Sequence, residues 1–259
     1  MFASPACIHE FSHPPAIVLF HPRKDQPFTL DHLEQALRMG AKGVELDLRW
    51  RASDSSVVCN HERSGLSSRP TLDQALDAVF RFQGNGETVR GDGRQFFLVL
   101  DLKEESPPFH RALLRTLGAH SARFSNAARA LGGPRGITVV LTGFRAALER
   151  SVSTAALDTL CVVEGRNYGR RMVDASGRGA TFQWLALEYP VERSRVRDAH
   201  AGRDSRAVGR FNVRIVGARG HVRDALGSGA DAVNADLDEI AAATAWAARR
   251  SPGRARAEP

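Results

Sequence analysis

The chain has 259 residues, 42% hydrophobic and 25% charged, with 23 Gly and 12 Pro. That composition is globular and excludes a collagen-like, fibrous or wholly disordered chain; the length suits one large α/β domain with a substantial core. The net charge is +7, which reads first as a solvated basic surface and otherwise as a preference for a partner rich in phosphate or carboxylate.

In chain order, the segment Met1 to Phe11 is too short and too polar for the apolar core of a secretory signal. Apolar runs follow at Ala16–Phe20, Gly43–Leu48, Phe96–Leu102, Ile137–Thr142, Leu160–Val163, Trp184–Leu187, Val213–Val216 and Asp231–Asn234. Continuous runs of this kind fit strands buried on both faces, as in a parallel sheet. Helical patterns lie between them. Thr29 can cap a helix that carries Leu30, Leu33 and Leu37 and stops at Gly40. Thr71 and Gln74 have capping-box spacing ahead of Leu72, Ala75, Leu76 and Val79. Further helices are expected over about 109–117 and 221–226, and Gly84–Gly93 reads as a loop within the domain. Strand and helix alternate throughout, which predicts an α/β fold of the TIM (β/α)8 type, possible distortion included, with an open doubly wound sheet as the alternative. No GxGxxG follows the first strand and no GxxxxGK[ST] occurs, so the nucleotide-binding versions lose ground.

The segment Arg249 to Pro259 (RRSPGRARAEP) reads as a disordered basic tail, leaving 1–248 as one catalytic domain. All but three of the 36 basic residues are arginine, the exceptions being Lys24, Lys42 and Lys103. They are scattered and not interleaved with aromatics, which argues against a nucleic-acid partner. No apolar run approaches the ~20 residues that span a bilayer. Cys7, Cys59 and Cys161 are odd in number and widely spaced, which argues against a disulfide framework or a CxxC metal site. A reducing, cytoplasmic setting is the expectation; the oligomeric state is not legible.

Polar residues at strand C-terminal ends carry the functional signal, because the active site of a βα barrel lies at that face. His21 follows the first strand. Glu45 and Asp47 are two apart on the second, so both point to one side. A strand-like patch, Val57–Cys59, ends at His61, and the third main strand ends with Asp101 and Lys103, again on one side. Two unit charges ~4 Å apart repel by roughly 4 kcal/mol at an effective dielectric of 20. A divalent cation would relieve Glu45, Asp47 and Asp101, and an all-oxygen donor set suits Mg²⁺ or Ca²⁺ better than zinc. Lys103 can relieve part of the same repulsion or bind a substrate oxyanion. Two histidines beside such a site point to general acid–base catalysis. Taken singly, each residue also has a bland reading as a rim salt bridge or a hydrogen-bonded loop residue; it is the conjunction that points to a site.

The segment AIVLFHPRKDQPFTLDHLEQALRMGAKGVELDLRWRASDSSVVCNHE resembles the start of the PLC-like phosphodiesterase superfamily. That group includes glycerophosphodiester phosphodiesterases, phosphatidylinositol-specific phospholipases C and sphingomyelinase D-type enzymes. The matching residues are His21, Gly40-Ala41, Glu45-x-Asp47 and His61. FLVLDLKEES is similar to the third-strand block of the sphingomyelinase D-type proteins, and VRIVGARGHVRDALGSGADAVNADLDEI to the superfamily's last two strands. The resemblance implies a TIM barrel with one divalent cation on Glu45, Asp47 and Asp101. It implies His21 and His61 as the catalytic pair acting on a phosphodiester, with a small molecule or a lipid headgroup as substrate. Lys103, Arg23, Glu188 and Asn234 are the expected substrate-binding residues. Other readings are a barrel that binds an anion or a protein without catalysis, and a lyase or transferase on the same scaffold. Arg145 and Glu164 are weaker candidates at strand ends. Trp50, Trp184 and Trp246 are expected to pack, and His9 and His13 to lie outside the site.

Overall fold

The computed structural model describes residues 16–23, 26–83, 89, 96–124, 136–143, 161–166, 182–201 and 212–249. Its strands are β1 (Ile17–Phe20), β2 (Gly43–Arg51), β3 (Ser56–Cys59), β4 (Phe96–Leu102), β5 (Ile137–Gly143), β6 (Cys161–Arg166), β7 (Phe182–Glu188), β8 (Asn212–Val216) and β9 (Ala232–Ala235). Its helices are α1 (Leu30–Met39), α2 (Leu72–Gln83), α3 (Pro107–Ala119), α4 (Arg193–His200), α5 (Val222–Gly227) and α6 (Leu237–Arg249). All eight expected main strands are present, each within a few residues of its apolar run. Helix α6 runs through Arg249, the first residue of the expected tail; residues 250–259, like His9, His13 and Arg145, lie outside the described residues.

Strands β1, β2, β4, β5, β6, β7, β8 and β9 pair in parallel in that order, and β9 pairs back onto β1. The sheet therefore closes, and the barrel reading holds against the open sheet. Side chains alternate across each strand. On β2, Val44, Leu46 and Leu48 face outward and join Leu33, Leu37, Leu76 and Leu113 of the surrounding helices in the main core. The inward set at the N-terminal end is a separate apolar plug of Leu19, Phe97, Val99, Val140 and Ala232. Gly43 fits inside this plug because it has no side chain: a Cβ there would meet Leu19 Cδ2 at 2.1 Å and the Phe97 carbonyl oxygen at 2.4 Å.

The predicted caps form. Thr29 Oγ1 accepts from the His32 amide, and Gly40 closes α1 in the left-handed region at φ 105°. Thr71 and Gln74 make the reciprocal pair of a capping box, at 2.9 and 3.2 Å. Pro107 opens α3 behind Ser106, whose hydroxyl accepts from the Phe109 amide.

Helix α4 is anchored by an ion pair that makes stability depend on pH. His200 Nε2 lies 2.8 Å from Asp231 Oδ2, which also accepts from the Val213 amide at 2.7 Å. The hydrogen bond and charge of Asp231 raise the His200 pKa above its usual value, against the opposing effect of burial. A raised folded-state pKa contributes stability that is complete below the unfolded value and is lost as pH rises through the folded one. The melting temperature of wild type should therefore exceed that of His200→Gln by more at pH 5.5 than at pH 9. An equal difference at the two pH values would remove the ion pair from the account.

Candidate active site

The mouth of the barrel is polar because the inward positions change character along the strands. On β1 the inward residues run Leu19 then His21; on β2 they run Gly43, Glu45, Asp47. Phe20 is level with Val44, which places His21 level with Glu45. Asp47 and Asp101 are direct register partners across β2 and β4, and Thr142 stands next to Asp101 on β5. Neighbouring strands lie ~4.8 Å apart, so the two carboxylates are adjacent by construction.

His61 reaches this mouth by a hairpin. Strand β2 projects beyond the barrel, turns at 52–55 and returns as antiparallel β3. The return ends where the Asn60 amide donates to the Asp47 carbonyl at 2.8 Å. Asn60 Nδ2 donates to the carbonyls of Glu62 (2.6 Å) and Ser64 (3.0 Å), fixing the loop that follows. His61 lines a cleft of about 180 Å³ with Asp47, Asn60, Arg23, Phe28 and Arg69. His61 Nδ1 lies 2.7 Å from Glu62 Oε1 at the exposed rim.

The acidic cluster is buried and internally countered. Glu45 and Asp101 are each 1% exposed. Lys103 Nζ lies 2.6 Å from Asp101 Oδ2 and 3.0 Å from Asp47 Oδ1, bridging the adjacent carboxylates. Glu45 Oε2 accepts from both Arg214 and Asn234, and Arg214 Nη1 also donates to Asn234 Oδ1 at 2.9 Å. Burial alone would depress Lys103, but Asp101 and Asp47 raise its pKa above the usual lysine value. Burial alone would raise Asp47, but His21 and Lys103 hold it below the usual carboxylate value. His21 follows the same logic in reverse: burial disfavours its charged form, and Glu45 and Asp47 more than offset that.

The residues expected from sequence are placed as follows. His21, Glu45, Asp47, Asp101 and Lys103 come together at one site. Asn234 is buried and hydrogen-bonded to Glu45, so it orients a carboxylate within the cluster. Arg23 lines the cleft, with its guanidinium held by Asp236 and Asp238, both at 2.9 Å. Glu188 is exposed at the end of β7 and does not line the cleft described here. Trp50 and Trp246 pack partly buried against the core, as expected. The side chains of Glu164 and Trp184 lie outside the described residues.

Three contributions were missed in the sequence. Arg214 is fully buried on β8 and is the cation for Glu45. The signal was present: a lone charge at the inward position of V-R-I-V needs a partner inside the barrel. Arg49, two beyond Asp47, donates to the His61 and Lys103 carbonyls at 2.9 and 3.2 Å and pairs with Glu104 at 3.1 Å, so it joins the His61 loop to the end of β4. Gly143, at the end of β5, makes room for the cluster: a Cβ there would meet Asp101 Oδ1 at 2.8 Å and the Leu102 carbonyl at 2.4 Å.

A hard divalent cation suits this donor set. Ligand atoms of His21, Glu45 and Asp47 lie within 4.8 Å of one another, with Asp101 next in register. His21 Nε2 is buried with no hydrogen bond among the described residues, its approach to Asp47 Oδ2 being 3.6 Å.

A closed parallel barrel with an acid–histidine cluster at its C-terminal mouth defines a class of barrel rather than one protein, and several solved structures share its fold. The chain superimposes on the glycerophosphoryl diester phosphodiesterase domain of a Mycobacterium tuberculosis protein with TM-score 0.55 and 15% identity, covering 90% of this chain and 99% of that one. A glycerophosphodiester phosphodiesterase from Agrobacterium tumefaciens gives 0.55 and 17%, covering 89% and 99%. A calcium-dependent phosphoinositol-specific phospholipase C from Pseudomonas sp. gives 0.56 and 13%, covering 88% and 90%. The likeness shows the fold, a TIM barrel like those of these solved phosphodiesterases. No family model and no curated protein matches the sequence. No helix among the described residues is long and apolar enough to cross a membrane.

Proposed function

We propose that the protein is a phosphodiesterase of the PLC-like superfamily, cleaving a phosphodiester beside one divalent cation, Mg²⁺ or Ca²⁺. The observation that supports this most directly is the clustering of His21, Glu45 and Asp47 ligand atoms within 4.8 Å at the mouth of a barrel folded like known phosphodiesterases. Glu45, Asp47 and Asp101 are the residues to hold the cation, which when bound would polarise the phosphoryl oxygens and neutralise developing charge.

The chain's own groups divide the remaining work. Lys103, fixed between Asp47 and Asp101, offers its ammonium to a phosphoryl oxygen. His21 and His61 serve as the acid–base pair. One accepts the proton of the attacking hydroxyl, and the other gives a proton to the leaving alkoxide. The attacking hydroxyl belongs either to water, giving a monoester, or to the substrate itself, giving a cyclic phosphate. A cleft of about 180 Å³ admits a phosphate and a few further heavy atoms, which favours a small glycerophosphodiester or a lipid headgroup. A soluble, cytoplasmic setting accords with this choice.

A barrel that binds an anion without turning it over has one observation on its side: Lys103 and Arg214 already counter the carboxylates. Calorimetric titration with Mg²⁺ and Ca²⁺ separates the two readings. Wild type should bind one of them, and Asp47→Asn, which keeps shape and removes charge, should weaken binding at least about tenfold. Absence of binding to folded wild type would sink the metal assignment.

A further inference from the structure

We propose that Arg69 forms an anion subsite in the same cleft, selecting phosphodiesters whose alcohol portion carries a second negative group, a carboxylate or a phosphate. The proposal rests on the phosphodiesterase reading and names the substrate class within it. Two cationic side chains line the described cleft, Arg23 and Arg69. Arg23 is tied to Asp236 and Asp238. Arg69 has no such partner: among the described residues its buried Nε makes no hydrogen bond, and no carboxylate pairs with its guanidinium. The Glu62 carboxylate, on the same loop, is paired with His61 instead. An Nε–H buried without an acceptor is unfavourable unless something arrives to pair with it.

The loop that presents Arg69 is built to hold its shape. Arg51 Nη1 donates to the carbonyls of Leu66 and Arg69 at 2.9 and 3.0 Å, while its other nitrogens grip Asp54 at 2.9 and 2.7 Å. Ser68 Oγ donates to the Gly65 carbonyl, and Gly65 turns the chain in the left-handed region at φ 66°. Arg69 Nη2 lies alongside this turn, 3.6 Å from where a Cβ of residue 65 would stand. Asp47 and His61 line the same cleft as Arg69, so a phosphodiester bound by them shares that cleft with the arginine. A planar guanidinium pairs with a carboxylate or phosphate through two parallel hydrogen bonds.

The test uses two ligands that differ by one carboxylate, glycerophosphoethanolamine and glycerophosphoserine. Binding is measured by calorimetry on the His21→Asn protein, so that neither ligand is consumed, and turnover is measured on the active protein. The serine ester should bind about tenfold tighter than the ethanolamine ester. Arg69→Gln should abolish that preference, and Arg69→Lys should keep part of it. Equal binding of the two esters, or a preference unchanged in Arg69→Gln, would overturn the subsite. If the preference is present and depends on Arg69 but wild type cleaves neither ester, the subsite stands and the phosphodiesterase reading falls. Cleavage of both esters with no preference is the opposite case.

Discussion

Arg214→Met should lower the melting temperature by roughly 10 °C, from a stability loss of about 3–5 kcal/mol. The guanidinium is fully buried and donates to both Glu45 and Asn234 inside the barrel. Removing it leaves the Glu45 carboxylate 1% exposed and without its main counter-charge. The loss should be largely reversed in Arg214→Met/Glu45→Gln, because the second change removes the stranded charge. Thermal melts of wild type, both single variants and the double variant complete the cycle. A single Arg214 variant melting within about 2 °C of wild type would show that Glu45 does not depend on this partner.

The second large effect concerns turnover. His21→Asn and His61→Asn should each reduce kcat on a phosphodiester by a factor on the order of 10² to 10⁴ while leaving the fold intact. The two residues reach the site by different routes: His21 directly after β1, and His61 at the end of the hairpin that β2 and β3 make. Their losses should be far from additive if both protons move in one transition state, so the double variant should be little slower than the worse single one. Circular dichroism and melting curves keep loss of fold apart from loss of chemistry. A His61 variant with near-wild-type kcat would remove that residue from the mechanism and leave His21 to be explained alone.

The parts of this architecture that were legible in the sequence are those set by short-range rules. The eight parallel strands announce themselves as apolar runs because each is buried on both faces, and Thr29, Gly40, Thr71 and Gln74 mark helix ends through local hydrogen bonds. Glu45, Asp47, Asp101 and Lys103 were legible because two-residue spacing on a strand fixes a common face, and strand ends fix a common height. The missed groups act across the barrel. Arg214 meets Glu45 from a strand 169 positions away, and spacing within V-R-I-V cannot say which carboxylate it finds. Asn234 was expected to face substrate and instead orients Glu45, since the closure of β9 onto β1 determines what its amide meets. Arg23 was assigned to substrate, yet Asp236 and Asp238 occupy its guanidinium once the first and last βα turns come together.

The most direct test of the central claim is a ³¹P NMR time course with glycerophosphodiesters, a lysophospholipid and sphingomyelin, each with Mg²⁺, Ca²⁺ or EDTA. Wild type should convert at least one ester to a new phosphorus resonance, only with a metal present, and His21→Asn should not; the shift distinguishes a monoester from a cyclic phosphate. Unchanged spectra in every lane, from folded protein with metal bound, would contradict the phosphodiesterase account and leave a barrel that binds an anion or acts on a different substrate.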